Sequence, residues 1–314
     1  MTFRLIGAAL SAAAFFSAPA LAADFPSKPI TIIVQYGAGG GTDNFVRALE
    51  QPLEDAFGVD VAIRNVNGGG GAVGMMQALA AKPDGYTVTI PNNAFYTLVG
   101  MGNVSFTVED FDYLAALVVE PYVLTVRRSE DWSDLESFVA YSKDTPVKLG
   151  FSGVGSSTHI MTLAVAEATG LNVQFVPYGS GSEASAAALG GHIDGVVLSP
   201  SDVVSAIQGD EGLVPIASTG ESSLLEGVTT FEEAGFDLTV QQWRGIAAPA
   251  GVSDEVVTAW QEALEKAVED PAYLEAVANL GSEPMTLFGE ELDAFVEDGK
   301  SIMLPLTEQV AAQQ

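Results

Sequence analysis

Gly37, Gly39, Gly40 and Gly41 fall within five positions and run straight into Thr42 and Asp43, in the stretch QYGAGGGTDN (35–44). Glycine loses more conformational freedom on ordering than any other residue, so a cluster this dense implies that bare backbone is needed at close range. Three uses would fit: a nucleotide phosphate, a carboxylate, or a tight turn alone. FSGVGSSTH (151–159) has the same character, with Ser152, Gly155, Ser156, Ser157 and Thr158 adding hydroxyl donors to glycine. The first turn of a helix leaves backbone N–H groups unpaired and carries about half a positive charge. Each loop can therefore hold an anion if a helix follows it. Neither loop contains Lys or Arg, so the attraction is expected to come from backbone dipoles.

Other chemistries find less support. A dinucleotide fingerprint would need a third glycine where Thr42 stands and an acid after the next strand, where Arg64 and Asn65 stand. AFVEDGKS (294–301) resembles a phosphate loop, but an acidic helical segment precedes it instead of a strand. GFSGV and SGSEA each miss the nucleophile-elbow spacing. His159 and His192 are the two histidines and have no metal-pair spacing. His159, one residue past Thr158, reads as a neutral hydrogen-bonded residue, because a charged imidazole is disfavoured at a helix N-terminus. Thr42 or Asp43 can cap the helix. Arg127, Arg128 and Arg244 are expected at solvated strand ends, Arg244 meeting a carboxylate if its strand faces a cleft. Trp132 and Trp260 read as core. No catalytic residue, metal or cofactor is expected.

These loops need rigid elements on either side. ITIIVQY reads as a strand, TDNFVRALEQPLEDAF as a helix and VDVAIRNV as a strand; NGGGG then opens the helix AVGMMQALAAK. The pattern recurs as VKLGFS, the hydroxyl loop, IMTLAVAEAT and NVQFVPY. Gly58 and Gly170 follow the two helices where a left-handed C-terminal residue is wanted. Alternation of this kind predicts an α/β fold with mostly parallel sheets covered by helices. Two β-rich stretches, FDYLAALVVEPYVLTVRR and LTVQQWRGIAAPAG, are placed to carry the chain between two lobes. Lobe one is then expected at 24–124 and 241–314, and lobe two at 125–240. DEVVTAWQEALEKAVEDPAYLEAVANLG reads as helix restarted by Pro271.

Composition bounds the setting. MTFRLIGAALSAAAFFSAPALA has a basic n-region, an apolar stretch and an A-x-A site at residues 20–22, the pattern of a cleaved secretory signal over 1–22. With no cysteine, disulfides, thiol chemistry and a lipid anchor on cysteine are ruled out. Twelve basic residues against 41 acidic ones give a net charge of −29, a field that repels nucleic acid and anionic membranes. A saline habitat or an ordinary acidic exported protein would both fit.

FPSKPITIIVQYGAGGGTD, KPDGYTVTIP, FSGVGSSTH, VPYGSGSEASAAALGGHIDG and WRGIAAPAGVSDEVV, in that order, resemble the extracytoplasmic receptors of tripartite tricarboxylate transporters, the Bug-type solute-binding proteins. The resemblance implies a two-lobed periplasmic binding protein of type II character with two hinge crossings, which closes on a small carboxylate, acts as a monomer and serves the membrane subunits of such a transporter. The two loops would act as pincers through Tyr36, Gly39, Gly40, Gly41, Thr42 and Asp43 on one side and Ser152, Gly155, Ser156, Ser157 and Thr158 on the other. Asn92, Tyr178 and Ser199 complete the expected ligand-binding set. The chain departs from the family's habit at Ala38, where Pro is common, and at Gly179, where Lys is frequent. A sensor partner of a signalling membrane protein, or an enzyme acting on a carboxylated substrate, are the alternatives.

Overall fold

The computed structural model describes residues 25–208 and 212–312. The expected signal segment lies outside them. The first half runs β1 (Ile30–Val34), α1 (Gly41–Phe57), β2 (Val61–Asn65), α2 (Ala72–Leu79), β3 (Thr87–Thr89), α3 (Ala94–Gly100), β4 (Phe111–Pro121), β5 (Val123–Val126), α4 (Leu135–Asp144) and β6 (Val147–Phe151). The chain continues through α5 (Ser157–Thr169), β7 (Val173–Pro177), α6 (Gly181–Leu189), β8 (Gly195–Leu198), α7 (Pro200–Val203) and β9 (Val214–Ser218). It closes with β10 (Gln241–Pro249), α8 (Asp254–Val268), α9 (Pro271–Asn279), β11 (Glu283–Leu287) and α10 (Gly289–Ala311).

Two sheets result, a six-stranded one in the order β11-β4-β10-β3-β1-β2 and a five-stranded one in the order β7-β6-β8-β5-β9. Both are mixed, where the alternating pattern had predicted mostly parallel sheets. The strand–helix repeats do pair in parallel, β1 with β2 and β3, and β6 with β7 and β8. The crossing strands run the other way: β10 is antiparallel to β3 and β4, and β5 is antiparallel to β8 and β9. A strand that returns from the other sheet enters without a crossover helix, so nothing imposes the parallel direction.

Each sheet is buried by its own helices. In α1 the apolar side chains Phe45, Val46, Leu49 and Leu53 share one face and pack with Trp260 and Leu264 of α8 and Tyr273 of α9 over the first sheet. Full burial of each such side chain stabilises by about 1.5–3 kcal/mol. The second sheet has a core of Leu124, Phe138, Leu149, Ile160, Val165 and Val197. Trp132 and Trp260 are buried, as expected. α10 is shared: Leu292, Val296 and Met303 pack with Tyr96 and Trp243, while Leu306 and Val310 rest on the second core. The phosphate-loop look-alike at 294–301 lies inside this helix.

Gly58 and Gly170 end α1 and α5 in the left-handed conformation, both at φ 71°, each returning its N–H to a carbonyl of the last turn. Asp270 caps α9 through two backbone N–H groups, with Pro271 in its first turn.

Candidate functional site

Helices α1, α5 and α6 each start just past the carboxyl end of the strand before them, β1, β6 and β7, which is where open α/β sheets collect ligands. Their N-termini meet in a cleft closed to a cavity of about 10 Å³, no more than one water-sized space. Its lining comprises Tyr36, Gly40, Gly41 and Thr42 from the first loop, Ser152, Ser157 and Thr158 from the second, Ser180 and Gly181 from α6, Asp202 from α7, and Gln242 and Arg244 from β10.

In the first loop Asp43 fixes the backbone. Its carboxylate accepts from Gly39 N–H at 2.8 Å, Arg47 Nε at 2.8 Å and Asn65 Nδ2 at 2.9 Å. Burial alone would push its pKa up, but these bonds outweigh burial and hold it below the usual carboxylate range. Gly41 admits no side chain: a Cβ there would stand 2.2 Å from Ser201 Oγ and 2.9 Å from an Arg244 nitrogen. Burial also drives the Tyr36 phenol upward, so it stays a neutral hydroxyl.

The second loop is an ordered knot of hydroxyls. Thr158 Oγ1 accepts from Ser152 N–H at 3.0 Å and lies 2.7 Å from Ser152 Oγ. Ser156 Oγ caps α5 by accepting from His159 N–H at 3.2 Å. His159 Nδ1 accepts from Gly155 N–H at 3.3 Å, and its ring tilts against Phe151. Burial lowers its pKa to about 4, so the imidazole is neutral, as its place in the sequence suggested. Across the cleft, Thr97 Oγ1 donates to Gly155 O at 2.7 Å and Gln242 Nε2 donates to Ser157 Oγ at 3.0 Å.

Arg244 overturns the expectation of a solvated side chain. It is 1% exposed, its guanidinium is in contact with the Glu120 carboxylate, and Nε donates to Thr42 Oγ1 at 3.2 Å. Burial lowers its pKa to about 10, still charged at neutral pH. Glu120, also 1% exposed, further accepts from Ser201 N–H and Oγ and from Ser282 Oγ at 3.0–3.2 Å. A cation does stand at the cleft, but its charge is spent on Glu120. The loops' dipoles thus remain the main attraction for an anion. Asp202 Oδ1 accepts from Gly41 N–H at 2.7 Å. Arg127 is likewise paired, through Nε to Asp194 at 3.1 Å.

Of the expected set, Tyr36, Gly40, Gly41, Thr42, Ser152, Ser157 and Thr158 come together around the cavity. Gly39, Asp43, Gly155 and Ser156 lie behind them as loop supports. Asn92 and Ser199 are fully buried; Asn92 lies beside the Tyr36 hydroxyl, and Ser199 Oγ finds no hydrogen-bond partner among the described residues. Tyr178 packs beside the apolar cluster of α6 and β8. Sequence reasoning missed Ser180, Gly181, Asp202 and Gln242. For Ser180 the signal was the cap position before GSEA, which the structure fills by a bond from Glu183 N–H to Ser180 Oγ. A wider groove of about 720 Å³ on the second sheet, lined in part by Ser133, Glu136, Lys143, Ile216 and Phe236, lacks such convergence. Its one helix start, that of α4, is already capped by Asp134.

Known proteins share this architecture. Residues 45–310 match the family described as tripartite tricarboxylate transporter family receptor. An uncharacterised-family protein from the gbd 5' region of Cupriavidus necator is 29% identical, over 93% of this chain and 91% of the relative. The structure of the periplasmic binding protein BugD superposes with a TM-score of 0.86 at 25% identity, covering 91% of this chain and 98% of that one. MatC from Rhodopseudomonas palustris, solved with bound malate, superposes at 0.83 with 22% identity over 90% of this chain and all of that one. Among the described residues no helix is long and apolar enough to cross a membrane.

Proposed function

The chain belongs to the receptor family of tripartite tricarboxylate transporters, and from that premise we infer that it is a periplasmic receptor that captures a small carboxylate and delivers it to the membrane subunits of such a transporter. The observation that carries this reading is the meeting of two helix starts, α1 and α5, on one cavity. Their first-turn amides have no intrahelical acceptor. Gly41 N–H is taken by Asp202, which leaves those of Thr42, Ser157 and Thr158 for a ligand carboxylate. Hydrogen bonds to a charged group contribute about 1.5–3 kcal/mol each. Those three amides, joined by one or two of the hydroxyls that line the cavity, are enough after ordering costs for micromolar binding at about 8 kcal/mol.

The proposed entry lies between a lobe built on the first sheet, residues 25–122 and 241–312, and a lobe built on the second, which opens with β5 at Val123 and runs to residue 240, with hinges at the two crossings. The bridging bonds from Thr97 to Gly155 and from Gln242 to Ser157 would form on closure. Malate in MatC supports a small organic acid as ligand. The receptor is taken to work as a monomer and to release its ligand unchanged; His159 Nδ1 accepts from Gly155 N–H and is turned to the loop backbone. Thermal-shift screening of organic acids tests the reading, since a ligand that binds the folded state stabilises it by RT ln(1 + [L]/Kd). Stabilisation by an acid that is returned unchanged supports a receptor. An acid that is turned over contradicts it.

A further inference from the structure

The charges in the cleft narrow the ligand class, an argument that rests on the carboxylate-receptor reading. Arg244, Glu120 and Asp202 meet there. Arg244 and Glu120 neutralise one another, both sealed from solvent. Asp202 is left over: its Oδ1 takes one backbone N–H, from Gly41, and among the described residues it has no ion pair with a lysine, arginine or histidine. It is also held in place. Ser201, the residue before it, is anchored to Glu120 through both N–H and Oγ, and a Cβ on Gly181 would lie 2.5 Å from the Asp202 carboxylate.

A negative charge thus lines a cleft whose ligand is itself an anion. A ligand with a second carboxylate beside Asp202 would bring two like charges together in a desolvated space, where such contacts cost far more than in water. A ligand with an ammonium group there would supply the missing counter-charge. The first-turn amides of α5 remain available for its carboxylate.

We propose that Asp202 is the specificity-determining residue of the cleft and that the ligand is an amino acid, its ammonium group paired with Asp202 and its carboxylate seated on the first turn of α5. Burial raises the pKa of Asp202 to about 6, so the group is ionised at neutral pH.

Calorimetric titration with matched acids tests this. Succinate, malate and aspartate share a four-carbon diacid skeleton and carry hydrogen, hydroxyl or ammonium at the second carbon; propionate and alanine make the same contrast with one carboxylate. Aspartate or alanine is expected to bind at least about tenfold more tightly than its nitrogen-free partner, the worth of one charge-assisted bond. Asp202→Asn, checked for folding by circular dichroism, is expected to abolish that preference, and Asp202→Glu to retain part of it. Equal or tighter binding of succinate and propionate overturns the proposal. Asp202→Asn is also expected to bind succinate more tightly, because the like charge is gone; a variant that keeps the full preference for aspartate and alanine overturns the proposal. Failure of all five acids also overturns it, and citrate, adipate and benzoate then separate the two readings. Binding of any of these leaves the receptor reading intact, whereas failure of all of them removes it as well.

Discussion

The Arg244 guanidinium rests on the Glu120 carboxylate in the interior of the cleft, each 1% exposed, and joins β10 to β4 where the chain crosses between sheets. Two ions taken out of water together stay tolerable only while both are present. Arg244→Met leaves a buried carboxylate without its partner and is expected to cost about 3–5 kcal/mol in denaturant unfolding. The double variant Arg244→Met with Glu120→Leu is expected to recover much of that loss. Additive losses would show that the two residues act separately.

Gly41 and Gly58 separate ligand binding from stability. Gly41 lies in the first turn of α1, and an added methyl meets Ser201 and Arg244 when the cleft is closed. Gly41→Ala is expected to weaken ligand affinity by tenfold or more, because the closed cleft must shift Ser201 and Arg244 to admit the methyl, and any helix-propensity gain is offset by that clash. Gly58→Ala meets nothing within 4 Å but must hold φ 71°, so it is expected to lose about 1–2 kcal/mol of stability with affinity unchanged. The reverse pattern would refute the assigned roles.

His159 and Asp202 give opposite pH dependences. The folded value of His159, about 4, lies below its ordinary 6.5, so the unfolded chain protonates first and stability is lost as pH falls from 6.5 towards 4. The folded value of Asp202, about 6, lies above its ordinary 3.8, so its stabilisation is present at low pH and is lost as pH rises through 6. Between pH 4 and 6 the two offset each other. Melting temperature in that window is expected to rise with pH in Asp202→Asn and to fall with pH in His159→Gln. Parallel trends in both variants would contradict the assignments.

Ser156 is a helix cap, and Ser157 lines the cavity. Ser156→Ala is expected to lower stability by about 1 kcal/mol. Ser157→Ala is expected to act mainly on affinity, because it also frees Gln242 Nε2. Guanidinium unfolding and calorimetry on the same pair separate the two effects.

The two strand–loop–helix units could be read from the chain because their signals are local. Gly58 and Gly170 mark helix ends, and the glycine and hydroxyl loops mark helix starts, within a few residues of the structure they determine. The antiparallel crossings could not be read in this way: β4 and β10 have the same β-branched and small residues as the parallel strands, and direction depends on where the chain returns. The buried charges were hidden for a related reason. Asp202 meets Gly41 from 161 residues away, and SPSD by itself reads as an ordinary short helix start. Arg244 beside a tryptophan looked like a strand end, since its partner Glu120 sits on another strand in an equally unremarkable context.

In the proposed receptor, first-turn amides of α1 and α5 hold the ligand's carboxylate. Amide chemical shifts, followed by two-dimensional nuclear magnetic resonance during titration with a binding acid, report on those groups directly. The Thr42, Ser157 and Thr158 amides are expected to move downfield together along one saturation curve. Shifts confined to the groove around Ser133, Glu136 and Phe236, with those three amides unmoved at saturation, would contradict it.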